Sequence, residues 1–138
     1  MNECVFCTDV ARAGDVVFED EQAWVVLHED WSPRGHAMIA AKRHVENASD
    51  LDADEWAHLT ALWHRVERVL LRETGAERAI IMKLGIATPH LHVHVYPMRA
   101  SDSRADVFEA IEGKRREARD ERFVVAVRER LSLTSPPR

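Results

Sequence analysis

Residues 90–97 read HLHVHVYP, and this stretch decides how the rest of the chain is interpreted. Histidine alternates with leucine and valine at the two-residue period of a β-strand, which puts the three imidazoles on one face and the aliphatic side chains on the other. The aliphatic face predicts a strand that packs on a core. The imidazoles of His90, His92 and His94 would follow one another at about 7 Å, close enough to meet one substrate or one cation.

Two kinds of chemistry suit such a row of imidazoles. The three nitrogens could hold a catalytic zinc that keeps one open coordination position. Alternatively, one histidine is a nucleophile, and its neighbours orient it and supply protons. The row alone leaves both alternatives open, so the choice depends on which other ligands the chain offers.

The composition indicates one globular domain of 138 residues, 46% of them hydrophobic and 31% charged. A formal net charge of -5 argues against nucleic acid or an anionic membrane as the main partner, so a site for an anionic substrate must be built locally. No apolar run reaches the length of a membrane span, and the N-terminus lacks a secretory signal pattern. We therefore expect a cytoplasmic protein. Within the single domain, the core is expected at about residues 1–100 and a helical extension at about residues 101–138.

Cys4 and Cys7 are the only two cysteines and form a C-x-x-C motif at the N-terminus. A redox motif of this kind is expected after a strand and at the start of a helix, but only three residues precede it here. Half of a zinc site is the better interpretation, because such a turn presents two thiolates at metal-ligand distance. Two further ligands would have to come from the eight histidines.

The hydrophobic pattern predicts five strands, separated by polar turns and by a helix. They are expected at residues 15–19, 23–28, 36–42, 78–84 and 90–96. The second strand is almost entirely apolar and should lie inside its sheet, away from the edges. Together with the helices below, these strands predict an α+β fold in which a mainly antiparallel five-stranded sheet is crossed by one long helix.

The long helix is predicted over residues 50–74, because apolar residues recur there at three- and four-residue spacing. Asp50 or Asp52 would cap its start, and Gly75 its end. Trp56 and Trp63 lie on the apolar stripe and are expected to pack in the core. Two C-terminal helices are predicted over residues 103–111 and 119–131, and the final SPPR is expected to fray.

Three stretches of this chain resemble motifs of the HIT (histidine triad) superfamily. Residues 90–97 resemble the triad itself, in which three histidines alternate with apolar residues. Residues 35–44, GHAMIAAKRH, are similar to the family's G-H-x-L-V-I-P-K-x-H block. Residues 4–7, CVFC, are similar to the N-terminus of the zinc-binding bacterial members. The three motifs stand in the family's order and spacing.

The resemblance implies a HIT-like homodimer that binds a purine nucleotide and cleaves at the α-phosphate of a nucleoside phosphoramidate or a dinucleoside polyphosphate. His92 would attack phosphorus, and water would then release the nucleoside monophosphate. A backbone carbonyl is expected to fix the His92 tautomer. His94 and His36 would contact phosphate oxygens, and His90 completes the predicted catalytic set. Because the third histidine of the triad is retained, the resemblance favours hydrolysis over nucleotidyl transfer.

The resemblance also implies a complete metal site. His44 and His90 would join Cys4 and Cys7 in a Cys₂His₂ set that binds zinc. Four protein ligands close the coordination shell, so this zinc would be structural. The triad would then not need to hold a catalytic metal.

This chain departs from the family pattern just before the triad. Nucleotide-hydrolysing relatives carry Gly-Gln-Ser or Gly-Gln-Thr there, whereas residues 85–89 read GIATP, so Thr88 is the candidate hydroxyl. Lys83 lies near the place of an Asn or Gln, and His28 near the place of the Asp or Asn that faces the ribose. The resemblance therefore implies that Thr88, Lys83 and His28 bind the substrate. Trp31 could line the base pocket or pack on a dimer partner.

Two other functions are compatible with these motifs. The altered loop could have removed contacts to the leaving group, which would leave a zinc-stabilised nucleotide-binding or interaction protein with little catalytic activity. Alternatively, the protein is a metallohydrolase that holds a catalytic metal on His90, His92 and His94.

Overall fold

The computed structural model describes residues 4–133 and is organised around one five-stranded sheet. The strand order is β1-β2-β3-β5-β4, and every neighbouring pair is antiparallel. This confirms the predicted sheet, with β2 in its interior. The strands are β1 Gly14–Glu19, β2 Ala23–His28, β3 Ala37–Ala41, β4 Arg78–Met82 and β5 His92–Met98.

Within residues 4–133, four α-helices accompany the sheet: α1 Val5–Thr8, α2 Ala53–Thr74, α3 Arg104–Ile111 and α4 Glu121–Leu133. Short 3₁₀ turns occupy Val10–Ala13 and Ala48–Asp50. Over residues 4–133, no helix combines the length and the apolar character that crossing a membrane requires. The terminal SPPR, which we expected to fray, lies outside the described residues.

The start and end of α2 follow from local chemistry. Asp52 is the N-cap: its carboxylate accepts from the backbone N–H of Glu55 at 2.8 Å, and the Glu55 carboxylate accepts in return from the N–H of Asp52 at 3.0 Å. Of the two predicted caps, Asp50 instead belongs to the preceding 3₁₀ turn. Gly75 ends the helix with a φ of 74°, a left-handed conformation that favours glycine.

The main core lies between one face of the sheet and the helices α2 and α4. Leu91 and Val95 pack there with Val66 of α2 and Val124 of α4, all nearly inaccessible to solvent. The aliphatic side of residues 90–97 therefore packs on a core, as its pattern predicts. Burial of such side chains is the largest favourable contribution to folding, at roughly 25 cal/mol per Å² of apolar surface.

Several sequence predictions about these elements were wrong in detail; the fourth strand, for example, ends at Met82 and not at residue 84. Trp56 is 45% exposed because the buried stripe of α2 begins at Leu59, one turn further on, whereas Trp63 does pack partly against the core. The fifth strand begins at His92 and not at residue 90. The backbone N–H of Leu91 donates to the carbonyl of Val45 in the loop after β3, so regular pairing starts only afterwards.

The opposite face of the sheet is covered at two places. Near β2 and β3, Phe6 of α1 packs with Met38 and Ala40. Near β5 and β4, Ala110 of α3 packs with Tyr96. The part of the face between these two clusters carries polar side chains, and the candidate site lies there.

Candidate active site and metal centre

His92 and His94 project from β5 on the face opposite to the core. In the sheet, His92 pairs with Ala40 and His94 with Met38. Both imidazoles line a cavity of about 460 Å³, together with His28 at the end of β2. The other lining residues are Val5, Phe6, Arg12, Ala13, Glu29, Met38, Leu84, Gly85, Ile86, Ala87 and Thr88.

The His92 ring is held in one tautomer by the backbone. Its Nδ1 lies 2.6 Å from the carbonyl oxygen of His90, and since a carbonyl can only accept, Nδ1 carries the proton. This confirms the expected role of a backbone carbonyl. Burial lowers the pKa of His92, so the ring is neutral near pH 7. Nε2 is therefore an unprotonated nitrogen on a side chain that lines the cavity.

His36 lies behind His94 and does not reach the cavity. Nε2 of His36 is 2.8 Å from Nδ1 of His94, and the His36 ring is sandwiched between His28 and Tyr96 at centroid distances of 4.5 and 4.2 Å. Burial, followed by the neighbouring imidazoles, lowers the pKa of His36 to about 2 and that of His94 to about 4. Both rings are neutral at pH 7 and share one hydrogen bond, which fixes the orientation of His94.

His28 and the residues before the triad complete the rim. The backbone N–H of Asp30 donates to Nδ1 of His28 at 3.0 Å, so Nε2 of His28 is the atom left for a ligand. Thr88 lines the cavity, whereas Lys83 lies outside the lining, its Nζ 3.4 Å from Oδ1 of Asn47. Ile86, in the loop between them, is 84% exposed.

His90 faces away from the cavity and is fully buried. Its Nε2–H donates to the carbonyl of Ala41, which leaves Nδ1 unprotonated. That Nδ1 lies 3.3 Å from Sγ of Cys4, 3.5 Å from Sγ of Cys7 and 2.9 Å from Nδ1 of His44. The Sγ of Cys7 is also 3.2 Å from Nδ1 of His44.

These four residues have the donor atoms and the spacing of a metal centre. Their ligand atoms all lie within 4.8 Å of one another. Zinc bonds of about 2.3 Å to sulfur and 2.0 Å to nitrogen give tetrahedral edges of roughly 3.3 to 3.8 Å, close to the sulfur–nitrogen distances observed. Burial and the adjacent Cys4 thiol raise the pKa of Cys7, a cost that a bound cation would offset. Cys4, Cys7, His44 and His90 are therefore placed to hold a metal.

The triad does not converge on one ion. His90 directs its free nitrogen to the thiols, and His92 uses Nδ1 for a backbone carbonyl. Among residues 4–133, the thiol–imidazole cluster is the one group of histidine, cysteine and acidic residues close enough to share a metal. A catalytic metal on the three triad histidines thus has no support in the geometry.

Trp31 is not part of the cavity, which corrects one expectation. It is 2% exposed and packs edge-to-face against Phe123 of α4, with ring centroids 5.3 Å apart. Phe6 and Arg12 line the cavity instead, and the sequence interpretation missed both. Phe6 could have been found from the sequence, because it lies within the C-x-x-C motif that marks the metal ligands. Nothing in the sequence around Arg12 distinguishes it from other surface arginines.

The sheet with its core on one face, the imidazoles in a cavity on the other and the adjoining metal centre define a histidine-triad type of protein. The HIT domain profile matches residues 11–101 of the chain. The chain belongs to the HIT family.

Relatives of known sequence and structure agree with this assignment. An uncharacterized HIT-like protein of Mycobacterium tuberculosis is 27% identical over 106 residues, which cover 72% of this chain and 74% of that protein. A zinc-bound histidine triad family protein of Mycobacterium smegmatis superimposes with a TM-score of 0.69 at 25% identity, covering 94% of each chain. A hypothetical histidine triad nucleotide-binding protein of Sulfolobus tokodaii gives a TM-score of 0.69 at 25% identity, over 94% of this chain and 92% of that one.

Proposed function

We propose that this protein is a nucleotide hydrolase that cleaves at the α-phosphate of a nucleoside phosphoramidate or a dinucleoside polyphosphate. The observation that carries the proposal is the His92 ring, which lines the cavity with its Nδ1–H bound to a backbone carbonyl and its Nε2 free. The structural neighbour from Sulfolobus tokodaii, described as nucleotide-binding, supports a nucleotide ligand.

In the first step, the lone pair of His92 Nε2 attacks the α-phosphorus. A phosphorus–nitrogen bond forms, and the bond to the leaving group breaks, with its electron pair going to the leaving group; an amine leaving group also takes up a proton from water as it departs. The resulting imidazolium is stabilised because Nδ1–H still donates to the carbonyl of His90. In the second step, water attacks phosphorus, the electron pair returns to Nε2, and the nucleoside monophosphate and a proton leave.

The neighbouring imidazoles hold the phosphate and the sugar. His94 offers Nε2 to a phosphate oxygen, since its Nδ1 is engaged by His36. His36 is thus a positioning residue, not a contact to substrate. Nε2 of His28 is left for a ribose hydroxyl, and Thr88 for the leaving group. The apolar wall that includes Phe6 and Met38 suits the base.

Two cations lie near this site, whose lining also includes the carboxylate of Glu29. Arg12 lines the cavity, and within residues 4–133 no carboxylate lies at ion-pair distance from it. Lys83 is close enough to His92 for its charge to oppose protonation of that ring. In a chain of net charge -5, these two side chains supply the local positive potential that a substrate with several phosphates requires.

We assign zinc to the metal centre and a structural role to it. Two thiolates and two imidazoles are the ligand set of a closed zinc site, in which no position remains for water. The zinc-bound neighbour of Mycobacterium smegmatis supports this metal.

We also propose a homodimer. β4 is the last strand on its side of the sheet, and within residues 4–133 no strand pairs with its outer edge. Open edges of this kind are normally covered, and Leu84 and Ile86 just after β4 are exposed. Sedimentation equilibrium tests this, with a mass of one chain as the contrary result. A cytoplasmic location and the exclusion of nucleic acid as a partner remain predictions from the sequence.

The decisive experiment is substrate turnover. Wild type, His92→Asn and the control His64→Asn, which alters an exposed histidine of α2, are incubated with adenosine phosphoramidate and with diadenosine polyphosphates. We expect AMP from wild type and control, and a rate lower by roughly 10³-fold or more for His92→Asn. Equal rates for the three proteins would exclude His92 as the nucleophile.

A second candidate function is nucleotide binding without turnover. The loop of residues 85–89 supports it, because Thr88 is its one side chain able to hydrogen-bond a leaving group. Wild-type protein that binds AMP but releases none from any of these substrates would establish this alternative.

A further inference from the structure

One wall of the cavity is formed by the same segment that carries the two cysteine ligands. Residues 4–13 comprise α1 and the 3₁₀ turn that follows it. Val5, Phe6, Arg12 and Ala13 of this segment line the cavity, while Cys4 and Cys7 point to the metal centre. Metal ligands and cavity wall therefore alternate along one short stretch of chain.

Phe6 connects the two sites directly. It is 2% exposed and lies between Cys4 and Cys7 in the sequence. Its ring centroid is 4.8 Å from that of His92 and 5.3 Å from that of His90. Phe6 thus packs both on the imidazole that we assign to attack and on an imidazole of the metal centre.

Residues 4–13 contain too little regular structure to keep this cavity wall in place without other contacts. α1 is four residues long, and its N-cap, Cys4, makes no side-chain capping hydrogen bond. A single helical turn is unfavourable in isolation, because nucleation fixes several residues for one hydrogen bond. The segment is held by its apolar cluster with Val26, Met38 and Ala40, by the two cysteines at the metal centre and, at its end, by the hydrogen bond that the N–H of Glu29 donates to the carbonyl of Ala13.

We propose that metal binding at Cys4, Cys7, His44 and His90 sets the nucleotide affinity of the cavity, with Phe6 as the positioning residue that links the two sites. This inference rests on the proposed function for the identity of the ligand. When the metal is removed, both cysteine anchors are released, and the segment occupies the wall position in only part of the molecules. The dissociation constant of the nucleotide rises in inverse proportion to that fraction.

The test uses the full chain, loaded with zinc or freed of it by a chelator and dialysis. AMP binding is measured by calorimetry, and amide hydrogen exchange is followed over residues 4–13. If one molecule in ten keeps the wall in place, Kd rises about tenfold on metal removal. Exchange should accelerate in residues 4–13 but not in β2 or β3.

Phe6→Ala tests the link itself in the zinc-loaded protein. We expect the variant to bind zinc with unchanged stoichiometry, to bind AMP more weakly than wild type, and to respond far less to metal removal. Phe6→Leu should restore part of the response. Val10→Ala is the matched control, because Val10 packs in the same apolar cluster but does not line the cavity.

Each outcome separates this inference from the proposed function. Zinc-loaded wild type that does not bind AMP overturns the proposed function. Equal Kd values with and without zinc overturn the metal link while the proposed function stands. If the metal-free protein unfolds globally, the zinc-loaded variants decide: Phe6→Ala with the Kd of wild type overturns the role of Phe6.

Discussion

His90 and His92 are two residues apart, yet the backbone holds their rings in opposite tautomers. His90 donates from Nε2 to the carbonyl of Ala41 and turns Nδ1 toward the thiols. His92 donates from Nδ1 to the carbonyl of His90 and keeps Nε2 for the cavity. Two carbonyls thus turn the unprotonated nitrogen of one imidazole toward the two thiols and that of the next toward the cavity. The alternating pattern alone does not distinguish the three histidines, because it contains no information on which carbonyl each ring can reach; their different roles were expected from the family resemblance.

Arg12 should determine the preference for highly charged substrates. Arg12→Gln removes the guanidinium from the cavity lining but keeps a long polar side chain. We expect KM for diadenosine polyphosphates to rise by about tenfold, equivalent to roughly 1.4 kcal/mol of lost binding, with little change for adenosine phosphoramidate. Steady-state kinetics on both substrates measure this. An equal effect on both would show that Arg12 acts on the shared nucleotide.

The buried imidazoles should make the protein less stable in mild acid. The pKa of His94 is lowered from 6.5 to about 4 and that of His36 to about 2, so the unfolded chain binds more protons below pH 6.5. Their contribution to stability is complete above pH 6.5 and is lost as the pH falls toward 4 for His94 and toward 2 for His36. Each group contributes a slope of about 1.4 kcal/mol per pH unit.

Urea unfolding of wild type and His94→Asn across this pH range measures the slope. The dependence of the unfolding free energy on pH should be shallower in His94→Asn, whereas His64→Asn should retain the wild-type slope because His64 is exposed. Parallel curves for wild type and His94→Asn would contradict the assignment of a lowered pKa to His94.

Among the elements, α2 packs against the sheet, and the carboxylate of Asp52 caps its N-terminus. Asp52→Ala removes the acceptor for the N–H of Glu55 and should lower the free energy of unfolding by about 1 kcal/mol. Asp54→Ala is the control, since Asp54 lies in the same first turn but is not the cap. Chemical denaturation with identical values for the two variants would rule out the capping role.

The elements that the sequence predicted are those with a repeating or continuous apolar pattern. α2 and the strand of the triad place apolar residues at a regular period, whereas β2 and β3 are short, nearly continuous apolar runs, and the burial of these elements against one another follows. α1 was missed because four residues are too few to show a period. Trp31, in a predicted loop, was expected to line the base pocket or to pack on a dimer partner, but the sequence does not show that Phe123, far along the chain, packs against it.

For the molecule as a whole, the metal centre should add substantially to stability. A ligand that binds only the folded chain stabilises it by about 4 kcal/mol at a thousandfold excess over its Kd. We expect a chelator to lower Tm and added zinc to restore it, as measured by calorimetry. A Cys7→Ser variant should show a reduced response, and a wild-type Tm that is independent of zinc would contradict a structural role.

The C-terminal helix α4 bears on how far the domain extends. We predicted one domain over residues 1–138 with an appended helical extension, and this division stays a prediction. Phe123, Val124 and Val127 of α4 lie in the same apolar core as α2. Deletion from residue 119 onward should therefore expose the core and yield an insoluble chain.

The metal centre joins Cys4 to His90 across 86 positions of sequence. During synthesis, the two thiols leave the ribosome first and stay without their imidazole partners until His44 and then His90 have followed. The centre closes only when the N-terminal segment meets the finished middle of the sheet. A metal that binds all four residues therefore reports that the chain through His90 has been made and correctly assembled, and the thiols must stay reduced until then.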